Sequence, residues 1–293
     1  MTSQRATLVG LSAILLWSTS VGLIRRLTES LGPLGGAAMI YSSSALCLIL
    51  FNGFPPIRSQ SKIYLLLGGA LFVCYEIFFS LAIGFASNRM QAMELGMINY
   101  LWPCLTILFA IVINQQKSRF FLWPGIALSL AGIVWIMKGD GVWSLSLMWH
   151  NIIANPVAYG LAFAAAIVWA LYCNVSRRFG GGKSGISLFF VAVSAVLWRQ
   201  YLFSEEPVLS FSLTTVLELL FIAGSTALSY MAWDIGIQRG NLTLLATASY
   251  FTPMLSALLS ALWLNIIPTF SFWQGVLMIT VGSLLSWMAT RSS

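Results

Sequence analysis

The sequence predicts an all-α integral membrane protein whose ten transmembrane helices form two inverted-topology five-helix repeats around a central cavity. Three observations lead to this. Of 293 residues, 59% are hydrophobic and 8% charged, whereas a soluble domain carries about 25% charged residues; so little polar surface cannot cover a water-soluble globule. Apolar stretches of roughly 20 residues, enough to cross about 30 Å of hydrocarbon, recur along the whole chain. The second half also repeats the residue spacing of the first.

The predicted spans are 6–24, 33–51, 63–85, 93–114, 121–138, 156–175, 185–203, 213–235, 241–264 and 271–290. Arg5 followed by an apolar run resembles the start of a secretory signal. The run continues to Ile24, however, and a matching segment recurs mid-chain, so it reads as a retained first helix. Connections are short and hold most turn formers and charges, as in Asn52-Gly53-Phe54-Pro55-Pro56 and Gly180-Gly181-Gly182-Lys183. The longest, Gly139 to Asn155, contains the only histidine, His150, and divides the chain into repeats 1–145 and 146–293.

Charge sets the expected orientation. With the N-terminus in the cytoplasm, the inner segments hold ten basic residues: Arg5, Arg58, Lys62, Lys117, Arg119, Arg177, Arg178, Lys183, Arg239 and Arg291. The outer segments hold five: Arg25, Arg26, Arg89, Lys138 and Arg199. This bias places both termini inside. The basic residues are scattered rather than gathered in a stripe, so the net charge of +7 does not point to nucleic acid. Cys47, Cys74, Cys104 and Cys173 all fall in apolar runs without CxxC spacing, which argues against a disulfide framework or zinc site. No metal or other cofactor is expected.

A shift of 150 residues superposes Tyr100 on Tyr250, Pro103 on Pro253, Leu105 on Leu255 and Arg89 on Arg239. It also brings Trp123 onto Trp273, Gly125 onto Gly275 and Gly132 onto Gly282. A shift of 152 brings Trp17 and Arg25-Arg26 onto Trp169 and Arg177-Arg178. Shared spacing of such residues marks an internal repeat. A unit with an odd number of spans forces its second copy to enter the membrane the opposite way. Inverted halves are characteristic of secondary transporters, because the two can exchange conformations to open alternately on each side.

Enzymatic signatures are missing: there is no HExxH, GxSxG, P-loop or acidic cluster, and the one histidine lies in a connection. Nothing here resembles a potassium filter. Transport chemistry falls instead on intramembrane proline, aromatic and carboxylate side chains. Pro103 and Pro253 lie near the centres of spans four and nine, where a missing N–H bends the helix or exposes backbone, as a hinge or cavity wall would require. Gly125/Gly132 and Gly275/Gly282 read as helix-packing pairs. Trp123, Trp135, Trp198, Trp233, Trp273 and Trp287 fit the interfacial belt. Trp17, Tyr41, Tyr75, Tyr100, Trp102, Trp169, Tyr172 and Tyr250 fall nearer span centres, where their N–H and O–H groups need partners. Ionisable residues within spans are Glu76, Glu218 and Arg199, with Glu94 and Asp234 nearer the ends. Glu76 is the deepest, and a carboxylate there costs about 2.5–3.5 kcal/mol, so it is expected to face the bundle interior, attracting an ammonium or exchanging a proton. The expected substrate-binding set is Trp17, Tyr41, Tyr75, Glu76, Tyr100, Trp102 and Trp169, with Pro103 and Pro253 at hinges.

The segments Leu15-Leu16-Trp17-Ser18-Thr19 and Ala92-Met93-Glu94-Leu95-Gly96-Met97-Ile98-Asn99-Tyr100-Leu101-Trp102-Pro103, together with the repeat and chain length, resemble the drug/metabolite transporter superfamily in its EamA-type branch. The resemblance covers essentially the whole chain. It implies a basket of ten helices in the bacterial inner membrane, exporting aromatic amino acids and other bulky metabolites, with a small-molecule substrate and the lipid bilayer as partners. A cation-drug or nucleotide-sugar carrier on the same scaffold is the first alternative. A membrane-embedded enzyme or scaffold subunit is the second, since a fold does not fix a function.

Overall fold

The computed structural model describes residues 1–55, 57–87, 91, 95–96, 98–138, 145–263 and 270–290. Arg89, Glu94 and Arg291, used in the sequence reading, lie outside these. The described residues form helices and no strand. The helices are α1 Ser3–Leu31, α2 Pro33–Asn52, α3 Gly69–Gly84 (entered through a π-helical turn at Tyr64–Gly68), α4 Trp102–Ile113, α5 Leu122–Lys138 and α6 Leu145–Ala154. The second half continues with α7 Pro156–Phe179, α8 Ile186–Leu202, α9 Leu213–Arg239, α10 Leu242–Ala248, α11 Phe251–Trp263 and α12 Phe270–Thr290.

Local chemistry sets the helix ends. Gly32, with φ +81°, stops α1, and Pro33 opens α2 without wasting an N–H. Asn155, Ser212 and Asn241 cap α7, α9 and α10 by accepting from the N–H groups of Ala158, Thr215 and Leu244 at 3.4, 3.1 and 3.0 Å. Gly181 and Gly182, with φ of +59° and +72°, supply the turn between α7 and α8.

Three expectations change. Arg25 and Arg26 belong to α1 rather than to a connection. The backbone stays helical through both, and α1 runs on to Gly32, the glycine that ends it. The connection Gly139–Asn155 contains α6, which carries an exposed His150. Spans four and nine are not single helices. A turn at Tyr100-Leu101 precedes α4, and a turn at Ser249-Tyr250 separates α10 from α11. Each break lies just before its proline, which has no N–H to offer the carbonyl one turn earlier and whose ring crowds it. Both breaks tighten to i−3 bonds, Leu101 N–H to Ile98 at 3.0 Å and Tyr250 N–H to Thr247 at 3.2 Å.

Among the described residues, Pro33–Phe51, Tyr64–Ile83, Pro156–Phe179, Leu213–Arg239 and Phe270–Ala289 are long and apolar enough to cross a membrane; further apolar helices are shorter. Large apolar side chains such as Leu66, Val112, Leu220 and Leu277 stand outward and exposed, as a lipid-facing surface requires. The main packing pairs are α1 with α9, α3 with α7, α2 with α8 and α5 with α12. The last pair approaches backbone to backbone. A Cβ on Gly132 would lie 2.8 Å from the Gly275 carbonyl, and one on Gly125 would lie 2.8 Å from the Gly282 carbonyl. The packing reading of these glycines thus has a direct geometric cause.

Candidate functional site

The core between the helices is built from aromatic rings and two carboxylates. Glu76 sits mid-way along α3 and is buried. Tyr41 of α2 donates to its Oε2, and Tyr230 of α9 donates to its Oε1 at 2.8 Å. Both donors are neutral, and no lysine or arginine among the described residues hydrogen-bonds this carboxylate. The two phenols come from different halves of the chain, so the glutamate ties the halves together.

Rings surround this group. Trp17 of α1 lies 5.4 Å from Tyr230, 5.1 Å from Trp233 and 6.4 Å from Trp169 between ring centroids. Trp169 of α7 lies 4.5 Å from Tyr75 and 6.3 Å from Trp102. Tyr41 meets Phe190 at 5.3 Å, and Phe190 meets Tyr230 at 5.1 Å. The indole N–H of Trp17 is buried without an acceptor among the described residues, as is that of Trp233, so this cluster holds unpaired N–H donors.

Of the predicted site residues, Trp17, Tyr41, Tyr75, Glu76, Trp102 and Trp169 are drawn into this one assembly. Tyr100 stands at the break before α4 and packs on a satellite cluster with Ile133, Tyr250 and Ile279. Pro103 and Pro253 are buried beside the two breaks. Arg199, read from sequence as lying within a span, is exposed in the last turn of α8.

Other members of the assembly were not singled out from sequence. Tyr230 and Phe72 were absent from the reading. Trp233 was assigned to the interfacial belt, yet it is 1% exposed and lies 5.5 Å from Trp102. The usable signal was spacing: Tyr230 and Trp233 are three apart and share one face of α9. By contrast, Trp123, Trp135 and Trp273 are exposed, as belt residues should be.

Asp234, placed near a span end, is also buried, at 1% exposure. Its Oδ1 accepts from the Tyr172 hydroxyl at 3.2 Å, the Tyr64 hydroxyl at 3.4 Å and Gln238 Nε2 at 3.0 Å. The site therefore offers carboxylates, phenols and ring faces. Among the described residues, no cluster of histidine, cysteine, aspartate and glutamate is arranged to hold a metal.

The profile of the EamA-like transporter family matches the chain twice, over residues 4–138 and 156–288. The chain belongs to the EamA-like transporter family. As an EamA-like transporter it moves a small molecule across a membrane and is not an enzyme. It is 48% identical over 291 residues to a Salmonella typhimurium protein named aromatic amino acid exporter YddG, covering 99% of each chain. The Escherichia coli protein of the same name is 49% identical, again over 99% of each. A crystal structure of a protein 25% identical in sequence superposes with a TM-score of 0.82 over 99% of each chain.

Proposed function

We propose that this EamA-like transporter exports aromatic amino acids and related small zwitterionic metabolites across the bacterial inner membrane by alternating access. The observation that carries this is Glu76, a carboxylate hydrogen-bonded, among the described residues, only by phenols at the heart of a ring-lined core. An ammonium replaces a neutral donor there with a charge-assisted one. The ring faces accept a flat apolar side chain and attract a cation by about 0.5–2 kcal/mol. The free Trp17 N–H is available to the substrate's carboxylate. Relatives of nearly equal length that are named aromatic amino acid exporters support the same substrate class.

The proposed scaffold is ten spans in two inverted repeats, 1–145 and 146–293, with both termini cytoplasmic. Exchanging the halves by the 150-residue shift turns the α1–α9 pair into the α7–α3 pair. The α2–α8 and α5–α12 pairs map onto themselves, as an approximate two-fold axis requires. The two helix breaks are related by the same exchange and serve as the proposed hinges, with Pro103 and Pro253 beside them. At one end Thr7 Oγ1 accepts from Asn241 N–H at 2.9 Å and Lys183 donates to the Ser59 carbonyl at 2.8 Å. All four residues fall at the ends assigned to the cytoplasm. At the other end Glu206 accepts from Leu34 N–H at 2.8 Å.

Proteoliposomes with one solute per batch test the reading. Phenylalanine, tryptophan, tyrosine and methionine are expected to enter well ahead of aspartate and glutamate. Equal uptake of acidic and aromatic amino acids, or preference for a cationic drug or nucleotide sugar, overturns it.

A further inference from the structure

The role given to Glu76 leaves the second buried carboxylate unused. Asp234 follows Tyr230 by one turn on α9, so the two clusters stack along one helix face. Phe72 joins them: its ring lies 5.6 Å from Tyr230, which donates to Glu76, and 5.3 Å from Tyr172, which donates to Asp234. Beyond Asp234, the Tyr64 hydroxyl accepts from Gly185 N–H at 3.1 Å, and Gln60 donates to the Ser184 carbonyl at 2.8 Å. Gln238 Nε2 reaches the Lys183 carbonyl at 3.2 Å, and Arg239 donates to the Gly182 carbonyl. A line of carboxylates, phenols and ring faces therefore runs from Glu76 to the surface turn at residues 180–185.

The donors around Asp234 satisfy its hydrogen-bonding capacity but not its charge: among the described residues they are two phenols, an amide and the Ser184 hydroxyl, and no lysine or arginine hydrogen-bonds it. An acidic side chain within a span marks a functional site when its expected partner is named. Among the described residues, the only donor here from the first half of the chain is Tyr64. Parting the halves at this end removes that phenol and leaves Tyr172 and Gln238 in place. The vacated position is bordered by the ring of Phe189, which lies 5.4 Å from Tyr64 and 6.3 Å from Tyr172.

We propose that Asp234 is a second ammonium-binding subsite, between Glu76 and the side bearing residues 180–185, and that Tyr64 occupies it when that side is closed. The ligand class is a small primary amine with a flat apolar side chain. The subsite rests on the reading of the protein as a carrier of such solutes, and the orientation proposed above makes it the subsite first met from the cytoplasm. A substrate's ammonium exchanges for the Tyr64 phenol as it enters, then passes along the Phe72 and Tyr172 rings to Glu76.

Phenethylamine, which carries the ammonium but no carboxylate, is the probe. Its binding to the purified protein in lipid nanodiscs is followed by tryptophan fluorescence, independently of whether any amino acid is transported. Glu76→Gln is expected to weaken binding without abolishing it. Adding Asp234→Asn to that variant should weaken it by about a further tenfold, a difference of about 1.4 kcal/mol. Adding Tyr64→Phe to Glu76→Gln instead should tighten binding, because the competing hydroxyl is gone while the carboxylate stays. Loss of all binding in Glu76→Gln alone, no further loss with Asp234→Asn, or unchanged or weaker binding with Tyr64→Phe overturns the proposal. Failure of the wild-type protein to take up phenylalanine while this pattern holds counts against the amino-acid reading and not against the subsite.

Discussion

At Glu76 a single carboxylate meets one phenol from each half of the chain. Replacing it with Gln keeps the size and part of the hydrogen bonding but removes the charge. Affinity for phenylalanine, measured by equilibrium binding to purified protein, is expected to fall by about 1.5–3 kcal/mol, the scale of a charged hydrogen bond. Intact affinity combined with a lost response to an imposed pH gradient would assign Glu76 to proton coupling instead. This residue was legible in the sequence because a lone acid in the middle of an apolar run has few affordable explanations. Tyr230, which holds its other oxygen, was not. A tyrosine in a long apolar helix gives no sign of which neighbour it faces, and Tyr230 has no tyrosine at the equivalent repeat position to draw attention to it.

Among the helices, the two breaks and the α5–α12 seam respond to different substitutions. Pro103→Ala and Pro253→Ala restore an N–H next to each break. Both proteins are expected to insert and run as single species on gel filtration, with altered transport rates in proteoliposomes; normal rates in both would make the prolines passive kinks. The seam is a matter of stability. Gly132→Ala pushes a methyl group to 2.8 Å from a backbone carbonyl on α12, so it should destabilise by about 1–3 kcal/mol, as overpacking does. Gly160→Ala, whose new Cβ meets nothing within 4 Å, should leave the melting temperature in detergent unchanged. The glycine pairs were readable as packing residues from their seven-residue spacing. Their partner helix was not, because spacing defines a face but not what lies against it.

For the whole molecule, the charge bias and odd-numbered repeat lead to a topology that can be tested by labelling. In a background with the four native cysteines replaced, a cysteine at Ser118 should react with an impermeant thiol reagent only from the cytoplasmic side. One at Ser30 should react only from outside. Both positions are exposed in the structure, so labelling of both from one side would count against the ten-span arrangement rather than against access.

The sequence by itself determined that this chain lies in a membrane, where its apolar runs fall, that its halves repeat and that Glu76 is out of place. Each of these follows from the cost of polar groups in hydrocarbon and from residue spacing along one strand of chain. Tertiary structure alone decided that Tyr230 and Trp233 join Trp17 and Trp169, that Tyr100 packs elsewhere, and that Asp234 is buried beneath Tyr64. The physical reason is that contacts such as Tyr64–Asp234 join residues 170 positions apart. Which helix face meets which is set by side-chain fit between distant segments, and a pattern within one segment carries no record of its partner.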